Sequence, residues 1–221
     1  MLSNYDIEQY LIALKETLFL TFGTGLFVLI FGLVIGFLLY ILEVDAFIKP
    51  SLQRAIFYRI LSVVNDVSRS IPFILLLIMM IPITRAIMGT MLGQEGALPA
   101  LIVSASPFFA RVVHNALKNV SKETIEALLS MGASKLTLIR IIFKEAFPQL
   151  ISGFTLTLVT LVGFMSAAAV IGAGGLAFLA YENGKFGNNY PLMYVSIFSL
   201  LLLVLIIQLV GDALSKFVNH N

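Results

Sequence analysis

The chain has no cysteine, only two histidines (His114 and His220) and only 12% charged residues over its 221 positions. Without cysteine there is no disulfide framework, no thiolate nucleophile and no Cys-based zinc or iron–sulfur site. Two histidines leave almost nothing from which to build a metal centre. The basic residues never condense into a dense tract, which argues against nucleic-acid binding. A soluble domain carries about a quarter charged residues and somewhat under half apolar ones. Here 59% of the residues are apolar and the mean hydropathy is +1.01. Such a chain belongs in a lipid bilayer.

Charges divide the chain into uncharged runs at 17–42, 70–84, 96–110, 146–181 and 186–211. A bilayer core of about 30 Å needs roughly 20 residues of helix at about 1.5 Å each. The first and last runs cross unaided. The run at 146–181 holds one crossing before it meets Gly172-Ala173-Gly174-Gly175, which argues against continued helix. The two shorter runs must borrow charged neighbours, the second taking in Asp66 and Arg69, the third continuing past Arg111. The expectation is an all-α integral membrane protein, a single transmembrane domain over 1–221, with five helices at about 17–42, 58–84, 96–117, 149–170 and 190–211.

Orientation follows from the basic residues. With the N-terminus outside, the inner segments hold Lys49, Arg54, Arg59, a group of six from Arg111 to Lys144, and Lys216. The outer segments hold only Lys15, Arg85 and Lys185, as the positive-inside rule requires. The acidic stretch before Tyr10 is unlike a cleavable signal peptide, so the first helix is expected to remain as a span.

The inner segment 119–148 is not an ordinary loop. Ser121 can cap a helix whose first turn carries Glu123 and Glu126, and Ile125, Leu128 and Leu129 give it one apolar face. Gly132 would stop that helix in a left-handed conformation. Ser134 can cap a second short helix, with Ile139, Ile142, Phe143 and Ala146 at helical spacing. Periodicity alone also fits a helix pair lying on the lipid surface.

Glu126-Ala127, followed by Gly132, Ile142 and Pro148, resembles the Glu-Ala-Ala loop of ABC-importer permeases. Leu128 stands where that motif has its second alanine, and Phe143-Lys144-Glu145 where it has a leucine-proline pair. The resemblance extends to the methionine-uptake permeases through Glu16-Thr17-Leu18, Arg69-Ser70-Ile71-Pro72-Phe73, Pro107-Phe108-Phe109-Ala110-Arg111, Gly172-Ala173-Gly174-Gly175-Leu176 and Gln208-Leu209-Val210-Gly211-Asp212. It implies a non-catalytic permease subunit in a bacterial cytoplasmic membrane, importing L- and D-methionine. Glu126, Ala127, Gly132, Ala133 and Ser134 would couple it to an ATPase. The implied partners are a second copy of the chain, two copies of a cytoplasmic ATPase that bind ATP and Mg, an extracytoplasmic methionine-binding protein or lipoprotein, and membrane lipid. The chain itself holds no cofactor and no G-x-x-x-x-G-K-[ST] phosphate loop. Import of another amino acid or a small peptide stays open. A secondary transporter without an ATPase is disfavoured by five helices with no visible inverted repeat, and the cytoplasmic helix-glycine-helix disfavours both it and a channel.

Two further groups carry alternatives. Asp66 and Arg69, three apart within the second span, form either a structural ion pair or one that exchanges partners during transport. Thr157, Thr160, Gly163 and Ser166 are either a dimer seam along the transport path or ordinary packing within the chain. Arg111 and His114 mark only the inner end of the third span. Residues 181–190, with Asn183 and Asn188, offer an outer surface a binding protein could touch.

Overall fold

Four serines set the starts of four helices. The hydroxyls of Ser3, Ser51, Ser121 and Ser134 accept from the backbone N–H three residues on, in Asp6, Arg54, Thr124 and Thr137, which satisfies donors that a helix start leaves open. The computed structural model describes residues 3–219. It contains α1 (Asn4–Glu43), α2 (Leu52–Ser70), α3 (Phe73–Met88), α4 (Gly93–Lys118), α5 (Lys122–Ser130), α6 (Lys135–Ala168), a 3₁₀ turn (Ala169–Ile171), α7 (Gly175–Lys185) and α8 (Tyr190–Asn219). His220 lies outside the described residues.

Four helices, α1, α4, α6 with its 3₁₀ extension, and α8, are long and apolar enough to cross a membrane, and α2 with α3 forms a fifth, bent candidate. The expected helix over 58–84 is therefore two helices, meeting at 109°. Its break falls at Ile71-Pro72, where Ile71 is extended (φ −75°, ψ 123°). A residue before proline is pushed out of the helical region, and the proline offers no N–H to continue the ladder. Pro82, Pro99, Pro107 and Pro148 interrupt nothing comparable and lie inside α3, α4 and α6.

Two further boundaries differ from expectation. The helix after Gly132 is not a short separate limb, because α6 runs unbroken through Pro148 for 34 residues. The first helix starts at Asn4, so Asp6, Glu8, Lys15 and Glu16 are all helical. At 40 residues it measures about 60 Å, roughly twice a hydrocarbon core.

The helix α1 packs along α4, to which it runs parallel. Gly25, Gly32 and Gly36 lie buried on one stripe of α1, facing Leu158, Phe109 and Val113 respectively. Thr17 and Thr21 on the same buried side return their hydroxyls to the carbonyls of Ala13 and Thr17, at 2.9 and 2.7 Å. The hydroxyls of these two threonines thus sit inside with their protons paired. The opposite side of α1 exposes Phe19, Phe22, Leu26, Phe27 and Ile30, and α8 exposes Phe198, Leu201, Leu202 and Leu205. Such apolar outer faces suit lipid or neighbouring transmembrane helices.

Arg54 locks the α1–α2 connection. Its Nε donates to the Leu42 carbonyl at 2.6 Å, and Nη1 donates to the Ile48 carbonyl at 2.6 Å and to Asp45 Oδ1 at 2.7 Å. Arg54 is 9% exposed, whereas the Asp45 side chain is 74% exposed. Two of the three bonds thus go to backbone carbonyls rather than to the exposed carboxylate. Arg54→Met is expected to destabilise the purified protein by about 1–3 kcal/mol for each carbonyl it strands, the range for an unsatisfied buried acceptor. Asp45→Ala, removing a screened partner, should cost under about 1 kcal/mol. Thermal unfolding in detergent measures both, and equal effects would contradict this division.

Candidate functional site

α5 has no buried residue, yet its geometry is tightly set. Its end is a Schellman motif: the Gly132 N–H donates to the Leu129 carbonyl and the Ala133 N–H to the Leu128 carbonyl, both at 3.0 Å. Gly132 has φ +74°, the left-handed conformation such an ending requires. Ile125 and Leu128 lean on the main core, whereas Met131 and Leu136 are 82% and 77% exposed. Glu126, Ala127 and Ser134 are exposed and Ala133 is half-buried. Lys135 donates from Nζ to the Phe47 carbonyl at 2.7 Å, pinning the turn to the α1–α2 connection. The tip is therefore a rigid knob with an apolar point and a charged collar. α6 begins at this turn and continues through the bundle as a membrane-length helix.

At the same end, α1 and α4 are joined by a cluster the sequence did not announce. His114, 3% exposed, places Nε2 2.6 Å from Glu43 Oε2, and Lys118 Nζ meets Glu43 Oε1. No local pattern links Glu43 to residues 71 and 75 positions away. His114 is thus part of an interhelical tie rather than a mere helix end.

The Asp66–Arg69 pair forms, at 3.5 Å, in the last turns of α2, with side chains 45% and 33% exposed. The Arg69 guanidinium carbon lies 5.9 Å from the centroid of the Phe108 ring. The four small or hydroxylated residues of α6 do not share a face. Each step of three residues turns about 300°, so the set drifts by about 60° per step. Thr157 is fully buried and bonds the Gly153 carbonyl at 2.8 Å. Thr160 is half-buried and bonds the Leu156 carbonyl at 2.8 Å. Gly163 and Ser166 lie on the open side, beside Ala177, Ala180 and Ile197 of α7 and α8. Thr157 is therefore engaged in packing within the chain, and the other three turn progressively away from it.

The far end of the bundle is closed by Glu16. Gly172, Gly174 and Gly175 all have positive φ, and this brings the start of α7 onto α1. Glu16 Oε2 accepts from the Gly175 N–H at 2.7 Å, and Thr17 Oγ1 from the Leu176 N–H at 2.8 Å. A carboxylate at a helix start is doubly favoured, by the open N–H groups and by the helix dipole. Glu16→Ala is expected to cost about 1–3 kcal/mol by stranding that donor, whereas Glu16→Gln keeps an acceptor and should cost less. Thermal unfolding checks the order; a larger loss for Gln would refute it.

This assembly, membrane-length helices with apolar flanks and a helix-turn projecting at one end, defines a multi-pass membrane protein. Residues 46–220 match the model of the family "Binding-protein-dependent transport system inner membrane component", and the chain belongs to that family as a non-catalytic, membrane-spanning permease component of an ABC transporter. It is 37% identical over 210 residues to the probable D-methionine transport system permease protein MetI of Haemophilus influenzae, covering 95% of this chain and 97% of that one. It is 40% identical over 163 residues to the methionine import system permease protein MetP of Bacillus subtilis, 73% of each chain. A solved structure of the MetNI methionine ABC transporter in an inward-facing conformation matches with TM-score 0.90 and 38% identity over 98% of this chain and 99% of that one. A bacterial alginate ABC transporter, at 16% identity and TM-score 0.72, shares the fold.

Proposed function

We propose that this chain is the permease of an importer that moves methionine across a bacterial inner membrane, driven by ATP bound with Mg on two copies of a partner ATPase. The observation that carries the reading is the match to a solved methionine ABC transporter, which takes in 98% of this chain. Two copies of the chain would form the transmembrane domain. The α5 tip, with Glu126, Ala127, Gly132, Ala133 and Ser134, would seat in a cleft on each ATPase, where Met131 and Leu136 supply the apolar point. Closure of the ATPase pair would pull the two tips together and swing α6, opening the path to a loaded binding protein. That protein would deliver methionine on the side of α7, opposite the tip, with the N-terminus of the permease on the same outer side.

Reconstitution tests this reading. Proteoliposomes containing the permease, its ATPase and the binding protein should show ATP-dependent uptake of radiolabelled methionine. Competition by methionine but not by other amino acids or dipeptides supports the substrate; preferential competition by another solute replaces it. Because the chain lacks cysteine, single introduced thiols report orientation without background. Met131→Cys should label from the cytoplasmic side, and Asn183→Cys from the outside, where it should also crosslink to the binding protein.

A further inference from the structure

A cavity of about 320 Å³ lies between α1, α2 and α4, at the lower end of the range of small-molecule pockets. Its walls are largely apolar, with Phe31, Ile35, Leu61 and Ile102 among them. Two polar atoms on those walls have no partner: Oδ1 of Asn65 and Oγ of Ser106, in residues 4% and 5% exposed. The Asn65 Nδ2 donates to the Pro107 carbonyl at 3.2 Å, which fixes the amide orientation and leaves Oδ1 as the free end. Pro107 also lines the cavity and has no N–H, so the Val103 carbonyl on the same wall loses its helical donor. Ser68, a further lining residue, gives its proton to the Val64 carbonyl and keeps its oxygen lone pairs.

Each of these groups can accept a hydrogen bond, the Ser106 hydroxyl donating as well, and they line one cavity between the last turns of α2 and the middle of α4. Lipid tails cannot satisfy them and lipid headgroups sit at the interfaces. A guest must bring several N–H donors on an apolar body. A primary ammonium has three such donors. Arg69 stands one turn beyond Asn65 on α2, and residues four apart are neighbours on a helix face. Its contact with Asp66, at 3.5 Å, is longer than the roughly 2.7–2.9 Å of a charge-assisted bond, so the guanidinium retains donors for a carboxylate. An α-amino acid presents ammonium and carboxylate from one carbon, matching two groups one turn apart.

We infer that the α1–α2–α4 cavity is a binding subsite for an apolar α-amino acid, with the ammonium on Asn65, Ser106 and the Val103 carbonyl, the carboxylate toward Arg69, and the side chain against Phe31, Ile35 and Leu61. This rests on the reading of the chain as an amino-acid permease and adds where, within the membrane, the substrate is held.

The test uses the permease–ATPase complex in nanodiscs with a diazirine analogue of methionine, irradiated and mapped by mass spectrometry. Labelling should fall on α1, α2 and α4 around Phe31, Val64 and Val103. Excess L-methionine should suppress it at least tenfold, and the deaminated analogue 4-(methylthio)butanoate should not. Asn65→Leu with Ser106→Ala should reduce the methionine-suppressible label at least tenfold in complex that still co-purifies with its ATPase. Where that variant fails to assemble, the contrast between the two competitors on the native complex decides. Label elsewhere, or equal suppression by both competitors, overturns the subsite. Methionine uptake by the same complex reconstituted into proteoliposomes with its binding protein separates the readings: uptake without label here removes only the subsite, and absence of uptake removes the permease reading.

Discussion

Gly36→Leu is expected to leave little recoverable, monodisperse protein, whereas Gly23→Ala on the same helix should be neutral or mildly stabilising. A Cβ at Gly36 would stand 2.5 Å from the Ala110 carbonyl oxygen and 2.6 Å from Val113 Cβ, and neither can swing aside because one is backbone and the other sits at the root of a buried side chain. Around Gly23 nothing lies within 4 Å, so alanine there brings only its better helix propensity, up to about 1 kcal/mol. Overpacking in a dense core costs about 1–3 kcal/mol and sometimes more, and a leucine wedge at Gly36 belongs at the upper end. At Gly32 the obstacle is the Phe109 side chain, its ring edge at 2.6 Å and its Cβ at 2.9 Å, and at Gly25 the far end of Leu158. Substitutions there should be milder in that order, because flexible ends yield where backbone does not. Fluorescence-detected size-exclusion chromatography with a heating series ranks the four. Loss at Gly23 equal to that at Gly36 would show that helix-helix distance is not what the α1 glycines secure.

Intervals between charges are enough to locate five membrane-length segments, because charge is what lipid penalises. They do not report where a helix starts, bends or ends, because those depend on hydrogen-bond geometry. Ile71-Pro72 lies inside an apolar region, so counting hydropathy runs straight through a 109° bend. Conversely, Lys144, Glu145 and Pro148 look like a boundary between a surface helix and a span, although α6 carries straight through them. Local chemistry was legible wherever partners are close in sequence: the Ser121 and Ser134 caps, the left-handed Gly132 and the Asp66–Arg69 pair all form. Ties between distant helices were not. Glu16 meets Gly175 across 159 positions and Glu43 meets His114 across 71, and only the packed bundle brings them together. The α6 set shows how spacing misleads when read without angle. Thr157, Thr160, Gly163 and Ser166 recur every three residues, so their directions rotate steadily around the helix.

Gly132→Pro should reduce ATP-driven uptake at least tenfold while leaving the protein inserted in the membrane. Proline fixes φ near −65°, whereas Gly132 sits at +74° and donates its N–H to Leu129. The substitution removes that bond, and the changed direction of the chain also pulls the Ala133 N–H from the Leu128 carbonyl. Met131 and Leu136, on either side, would then point elsewhere, and Lys135 would lose its register with Phe47. None of this reaches beyond the first turn of α6, so insertion and the packing of α1 on α4 should persist. Gly132→Ala is the graded control. No atom lies within 4 Å of its would-be Cβ, so the cost is only that of a left-handed alanine, about 1–2 kcal/mol, and uptake should fall modestly. The ratio of uptake to ATP hydrolysis distinguishes loss of coupling from loss of protein. Under the proposed mechanism it collapses for proline and holds for alanine; native uptake by Gly132→Pro would remove the α5–α6 turn from the drive train altogether.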